Sequence, residues 1–184
     1  SEKIPKLVWR GQVNRTWRKE FVEKYWNHKH CNVGHVNHQT NLLPFECSKP
    51  YMSIKEQLEY KYILSLEGNN YATNLKWIAQ SNSLCFMPKP KHETWFMESK
   101  LLPDVHFVEI KDDYSDLSEK IDFYNLAPQR AEKIINNFNF HYRQCINCKT
   151  DHVISLLIMA KYFHYSEQFD LREFLDERMW QSII

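Results

Sequence analysis

Short apolar segments rich in β-formers alternate along this chain with longer segments of helical period, and this alternation restricts the fold more than any other feature. Residues 6–10, 61–66, 83–87 and 105–110 read as strands, with a weaker strand at 32–36. Helical period covers residues 14–28. A second helix opens at Ser53, where Ser53 and Glu56 have the spacing of a capping box. A third begins after Gly68 and carries Leu75, Ile78 and Ala79, and a fourth starts near Ser115 with Leu117 and Ile121 one turn apart. Pro128 suits the first turn of a fifth, because the amide donor it lacks is not needed there. Residues 151–165 and 170–181 are the last helices, expected to bury Ile154, Leu157, Ile158, Phe174 and Leu175. Strands separated by helices pair in parallel through crossovers, so the expected fold is α/β, a parallel sheet with helices on both faces.

In such a sheet a ligand sits outside the carboxyl ends of the strands. That rule directs attention to Arg10-Gly11, to Glu67-Gly68-Asn69-Asn70, and to the segment after Met87. The chain has only three glycines, Gly11, Gly34 and Gly68, which excludes both a G-x-G-x-x-G dinucleotide loop and a P-loop. Asn69, Asn70 and Thr73 crowd the start of the third helix. They read either as caps or as part of an anion site at the helix amides. Arg10, Arg15 and Arg18 surround the end of the first strand. Arg10 and Arg15 could converge on a diphosphate, which a guanidinium fork binds well, whereas Arg15 and Arg18 at helical spacing read equally as one solvated face. Glu98 follows the proline-broken loop Met87-Pro88-Lys89-Pro90. Placed about one turn into a helix, it reads as an acceptor for a ribose diol or as a surface carboxylate.

Composition removes several classes of function. At 184 residues and 43% hydrophobic, the chain can bury the core of one ordinary domain. Lysine plus arginine number 24 against 23 acidic residues, so no general field attracts nucleic acid or an anionic membrane, and any anion site must be local. No apolar run reaches membrane-spanning length, and residues 1–6 lack a signal core. An odd count of five cysteines points to reduced thiols and a cytoplasmic location. The tripeptide Asn14-Arg15-Thr16 fits the glycosylation pattern, which arises often by chance. His141, Cys145, Cys148 and His152 could together ligate zinc, against the plainer reading of unligated thiols and helix-end histidines. Asp112 and Asp113 read as the turn before the fourth helix rather than as metal ligands.

Taken in order, several stretches resemble glycosyltransferase family 90, which contains lipopolysaccharide-core transferases, capsule-associated proteins and protein O-glucosyltransferases. They are Trp9-Arg10-Gly11, Tyr60-Lys61-Tyr62-Ile63-Leu64 with Glu67-Gly68-Asn69, Leu75-Lys76-Trp77, Ser81-Asn82-Ser83, Glu93-Thr94-Trp95-Phe96-Met97-Glu98, Leu102-Pro103-Asp104-Val105-His106-Phe107 and Asp116-Leu117-Ser118-Glu119-Lys120-Ile121. The resemblance spans about residues 7–165 and favours the bacterial branch.

It implies the Rossmann-like carboxyl-side lobe of a GT-B glycosyltransferase. The chain would form one nucleotide-sugar-binding lobe over residues 1–184, with C-terminal helices at about 151–184. The implied donor is a UDP-sugar held without an obligatory cofactor or metal, and the implied acceptor is a glycan such as lipopolysaccharide core. The resemblance places Arg10, Arg15, Asn69, Asn70 and Thr73 at the diphosphate, the backbone of Phe86, Met87 and Pro88 at the base, and Glu98 at the ribose. His106 falls in a family motif and reads as a brace for the strand end. Protein O-glucosyltransferases carry an arginine near Asn74 that this chain lacks. The general base and acceptor site are expected in an amino-side lobe outside this chain, and the location at the inner face of a bacterial membrane, with at most peripheral attachment. A non-catalytic α/β binding module that has lost its donor stands as the alternative.

Overall fold

In the computed structural model, residues 3–36, 43–168 and 170 are described. The chain forms two compact units, residues 1–145 and residues 146–184. The first contains the strands β1 (Ile4–Gly11), β2 (Cys31–His35), β3 (Tyr60–Leu64), β4 (Leu84–Met87) and β5 (Val108–Glu109). Its helices are α1 (Thr16–Tyr25), α2 (Ile54–Gln57), α3 (Leu75–Ala79), α4 (Leu117–Leu126) and α5 (Pro128–Cys145). All strand pairs are parallel, in the order β2-β1-β3-β4-β5. The expected α/β sheet, Rossmann-like with helices on both faces, is the one observed. The winding reverses between β1 and β3, and a doubly wound sheet opens its ligand crevice outside the carboxyl ends at such a reversal.

Successive strand residues point to opposite faces, and both faces are apolar because both are covered. Leu7, Trp9, Tyr62, Leu64, Leu84 and Phe86 meet Phe21, Val22 and Tyr25 of α1 and Leu117, Ile121 and Tyr124 of α4. On the other face Val8, Ile63, Cys85 and Met87 meet Leu75, Ile78 and Ala79 of α3, together with Phe96, Phe107 and Phe138. Burying one such side chain contributes roughly 1.5–3 kcal/mol. These contacts hold the strand ends, and so the loops above them, in fixed relation.

Local chemistry sets the element ends. Ser53 caps α2 as its spacing predicts: Oγ accepts the Glu56 amide, and the Glu56 carboxylate accepts the Ser53 amide at 2.6 Å. Pro128 is the first residue of α5. Three elements are shorter than expected: α1, which ends at Tyr25 rather than near residue 28, α3 and β5. α3 begins only at Leu75, because the Asn74 side chain donates to the Leu64 carbonyl at 2.9 Å and accepts from Ser65 Oγ. Those bonds pin residues 68–74 to the end of β3 as a loop. β5 has two residues because a turn occupies the segment before it. In that turn Asp104 has φ 57°, its amide donates to Phe107 O, and His106 Nδ1 accepts the Leu102 amide.

The second unit contains α6 (Cys148–Tyr165), capped by Asn147 Oδ1 on the amides of Lys149 and Thr150. The expected burial of Leu157 and Ile158 is not observed: they are 40% and 52% exposed. Val153, Leu156, Leu157, Ile158 and Met159 run around the helix rather than along one stripe, so no single face can cover them all. The expected helix at 170–181, with Phe174 and Leu175, lies outside the described residues. Among the described residues no helix is long and apolar enough to cross a membrane.

Candidate functional site

A cavity of about 490 Å³ opens at the carboxyl ends of β3 and β4, a size that suits a small-molecule ligand. One wall is the loop from Ser65 to Ala72, and a second is the segment from Met87 to His92. The start of α1 and Tyr114 close the remaining side. Pro88 and Pro90 fix their own φ angles and offer no amide donor, which makes the second wall stiff and largely apolar.

Glu67 joins the walls. Its Oε1 accepts the amides of Lys91 at 3.1 Å and His92 at 3.3 Å, and its Oε2 lies 3.0 Å from His92 Nδ1. Its carbonyl accepts Trp17 Nε1–H at 2.9 Å and Arg18 Nε–H at 3.1 Å. A half-exposed carboxylate–imidazole contact adds little stability by itself. Together these bonds fix the order of the walls. Tyr114 adds a further tie, since its hydroxyl donates to Trp17 O while its own carbonyl accepts from Tyr25. Burial raises the Tyr114 phenol well above its ordinary value, so it stays a donor. Its φ of 60° is unusual for a bulky residue and persists because the surrounding bonds over-determine it.

Of the residues expected at a donor, the structure brings Arg15, Asn69, Met87, Pro88 and Glu98 to this cavity. Arg15 is exposed at the rim, and its side chain makes no hydrogen bond among the described residues. The amides of Asn69, Asn70, Ala72 and Thr73 likewise meet no acceptor among the described residues. Asn69 Oδ1 accepts weakly from Asn14, and Asn70 Oδ1 accepts the Tyr71 amide. Glu98 opens a single 3₁₀ turn rather than lying inside a helix, and at 3% exposed it is no surface carboxylate. Its two oxygens accept the Thr94 amide at 2.6 Å and the Thr94 hydroxyl at 2.8 Å. α3 has five residues, too few for a substantial dipole, so any anion binding by the loop rests on individual amides.

The other expected residues lie elsewhere. Phe86 is fully buried in the sheet core, and its carbonyl accepts the Ser65 amide. Arg10 does not converge with Arg15. Its guanidinium donates to the carbonyls of Pro50, Trp9 and Asn32 and to Asn32 Oδ1. Arg10 and Thr73 line a second cavity of about 340 Å³ on the far side of the loop.

Arg18 is not on a solvated face. It donates to Gln12, Leu66 and Glu67 carbonyls and lies over the Trp9 ring. Burial lowers the pKa of both Arg10 and Arg18 from the ordinary value, yet both remain cations. What approaches Gly68 is Arg18 rather than a ligand: a Cβ there would meet Nη2 at 2.9 Å. Glu67, Trp17 and Tyr114 were not singled out as site residues from the sequence. Glu67 does stand at the strand end to which the α/β rule points.

The zinc reading gains no ligand set. His141 Nε2 lies 2.8 Å from the Phe96 carbonyl and 3.3 Å from Cys145 Sγ. Among the described residues no group of three or more histidine, cysteine or acidic side chains has metal-binding geometry. Asp113 accepts the Ser115 amide, as a turn residue does.

The family described as Glycosyl transferase family 90 matches residues 1–166 of the chain. O-glucosyltransferase LpsA of Dichelobacter nodosus is 45% identical over 165 residues, an alignment covering 90% of this chain and 51% of that protein. Protein O-glucosyltransferase 2 of Danio rerio is 28% identical over 144 residues, covering 72% of this chain and 27% of that protein. The chain therefore spans about half the length of the first relative and less of the second.

Proposed function

Because the chain belongs to glycosyl transferase family 90, we propose that its first unit is the donor-binding part of a glycosyltransferase, with a nucleotide sugar, UDP-linked, seated in the cavity above β3 and β4. The observation that carries this reading is the cavity itself. It combines a stiff apolar wall at Pro88 and Pro90 with an uncommitted cation, Arg15, and unaccepted loop amides. A flat base suits the space between the proline wall and Tyr71, with the nearby backbone reading its edge. Glu98 sits where a ribose diol could donate to the remaining lone pairs of its carboxylate.

Arg15 and the amides of Asn69, Asn70, Ala72 and Thr73 would bind the diphosphate, and Lys89 adds positive charge at the rim. In transfer, the bond from the anomeric carbon to the diphosphate breaks, and one to an acceptor hydroxyl oxygen forms. The electron pair leaves on the diphosphate, where cation and amides stabilise it, and the hydroxyl proton passes to a base. We assign that base to no residue of this chain. The acceptor in this reading is a glycan such as lipopolysaccharide core, the reaction uses no obligatory metal, and the setting is the cytoplasmic face of a bacterial membrane.

The test is thermal unfolding with UDP, GDP, ADP and CMP. A ligand at about 100 times its Kd adds roughly 2.7 kcal/mol, and each kcal/mol raises the midpoint of a domain this size by about 2–4 °C. The expected result is a rise with UDP and little with the others. No rise with any nucleotide would remove donor binding from this chain.

A further inference from the structure

Two walls of the larger cavity leave the sheet at neighbouring strand ends, the loop 65–72 after β3 and the segment 87–92 after β4. At the sheet they are joined through the Ser65 amide, which donates to the Phe86 carbonyl. Beyond that point, among the described residues, the Glu67 carboxylate is the one group that hydrogen-bonds from the first wall to the second.

The joint resists widening. Glu67 Oε1 accepts the amides of Lys91 and His92, and Oε2 lies 3.0 Å from His92 Nδ1. An ionised carboxylate can only accept, so Nδ1 carries the proton there. Hydrogen bonds to such an acceptor are about twice as strong as those between neutral groups. The Glu67 side chain is only 22% exposed, which limits competition from water. Its main chain is anchored separately, since the Glu67 carbonyl accepts from Trp17 and Arg18. On the other wall Pro88 and Pro90 stiffen the stretch between the strand end and the joint.

Walls tied at the sheet and again at Glu67 have a fixed span, and a fixed span sorts ligands by size. Nucleotide bases come in one-ring and two-ring forms. We propose that Glu67 is a positioning residue that sets this span, so that the cavity takes a one-ring base and excludes a purine. It does so without touching the nucleotide. The inference rests on the nucleotide reading above and adds to it the residue behind the selectivity.

The test is calorimetric titration with UDP and with GDP, on the full chain and on the variants Glu67→Ala and Glu67→Gln. The unaltered chain is expected to prefer UDP by about tenfold or more. Glu67→Ala removes all three cross-wall bonds and keeps the main-chain carbonyl. It should weaken UDP binding about tenfold without weakening GDP, and so bring the two affinities together. In Glu67→Gln the amide oxygen still accepts both main-chain amides, and the preference for UDP should persist.

A preference that survives Glu67→Ala overturns the positioning role and leaves the nucleotide reading standing. So does a preference that Glu67→Gln abolishes as fully as Glu67→Ala, or equal binding of UDP and GDP by the unaltered chain. Binding of neither ligand by the unaltered chain overturns the nucleotide reading and the positioning role with it. Loss of the folded state in Glu67→Ala, seen in its melting curve, would make the joint part of the fold and likewise overturn the assignment.

Discussion

The end of β1 and the ends of β3 and β4 both gather polar groups above the same sheet, yet they use them in opposite ways. At β1, Arg10 and Arg18 turn back onto the protein, and carbonyl or amide oxygens take their donors. At β3 and β4, Arg15 and the amides of Asn69, Asn70, Ala72 and Thr73 meet no protein acceptor among the described residues, and Arg15, Asn69 and Ala72 line a cavity. The lesson concerns arginines at strand ends generally. Positive charge in such a place marks an anion site only where the donors are not already satisfied; a guanidinium surrounded by carbonyls is a brace.

Exchanging one arginine at a time is the strongest way to break this contrast. Arg18→Ala leaves the carbonyls of Leu66, Gln12 and Glu67 without that donor and uncovers the Trp9 ring. It is expected to cost about 3 kcal/mol, and to lower the melting midpoint by about 6–12 °C. Arg15→Ala should leave the midpoint nearly unchanged and instead weaken UDP binding about tenfold. Equal stability losses in the two variants would erase the distinction between brace and ligand.

Gly68→Ala sharpens the same point with a smaller effect. The added Cβ lies 2.9 Å from Arg18 Nη2, so the guanidinium must shift from its carbonyls. Chemical denaturation should show a loss of about 1–2 kcal/mol. The loss should shrink when Gly68→Ala is placed in an Arg18→Ala background, where the obstacle is gone. Additive losses would mean that the glycine serves something other than the Arg18 brace.

The smallest expected effect belongs to His106, another side chain that holds backbone rather than facing the cavity. Its Nδ1 accepts the Leu102 amide and so must be unprotonated. Burial, then the neighbouring His141, lowers its pKa from the ordinary 6.5. With a depressed imidazole pKa the unfolded chain takes the proton first. The contribution to stability is therefore complete above the ordinary value and declines as pH falls through it. His106→Asn should flatten the fall in melting midpoint between about pH 7.5 and about pH 5.5. An unchanged pH profile would show that the imidazole does not titrate against folding.

What the sequence made legible divides along similar lines. Strands β1 to β4, the capping box at Ser53 and Glu56, and Pro128 at the head of α5 follow from local patterns and appear where the pattern put them, whereas β5 keeps only two residues of its expected span. The α/β rule also pointed to the place where the cavity is found, because the carboxyl ends of β3 and β4 frame it. Long-range side-chain bonds were not legible. Asn74 reaches back to Leu64, which delays α3 by several residues and leaves the preceding stretch as a loop. Arg10 finds Asn32 and Pro50, and Glu67 finds His92, each across twenty or more positions in the chain. A residue's type announces that it can bond; only the fold decides whether the partner is protein or ligand. The resemblance to family 90 supplied the role proposed for the region, while geometry separates the expected residues between two cavities.

The central claim is that the loop following β3 and the segment following β4 are two walls of one nucleotide site. The most direct test is a titration of the isotopically labelled chain with UDP, followed by amide chemical shifts. The account predicts saturable changes at residues 65–73 and 87–92, with Arg15 at the margin and nothing comparable near Asn32 or Pro50. Changes centred on the groove lined by Asp104, Lys120 and Arg130, or no saturable change at all, would contradict it.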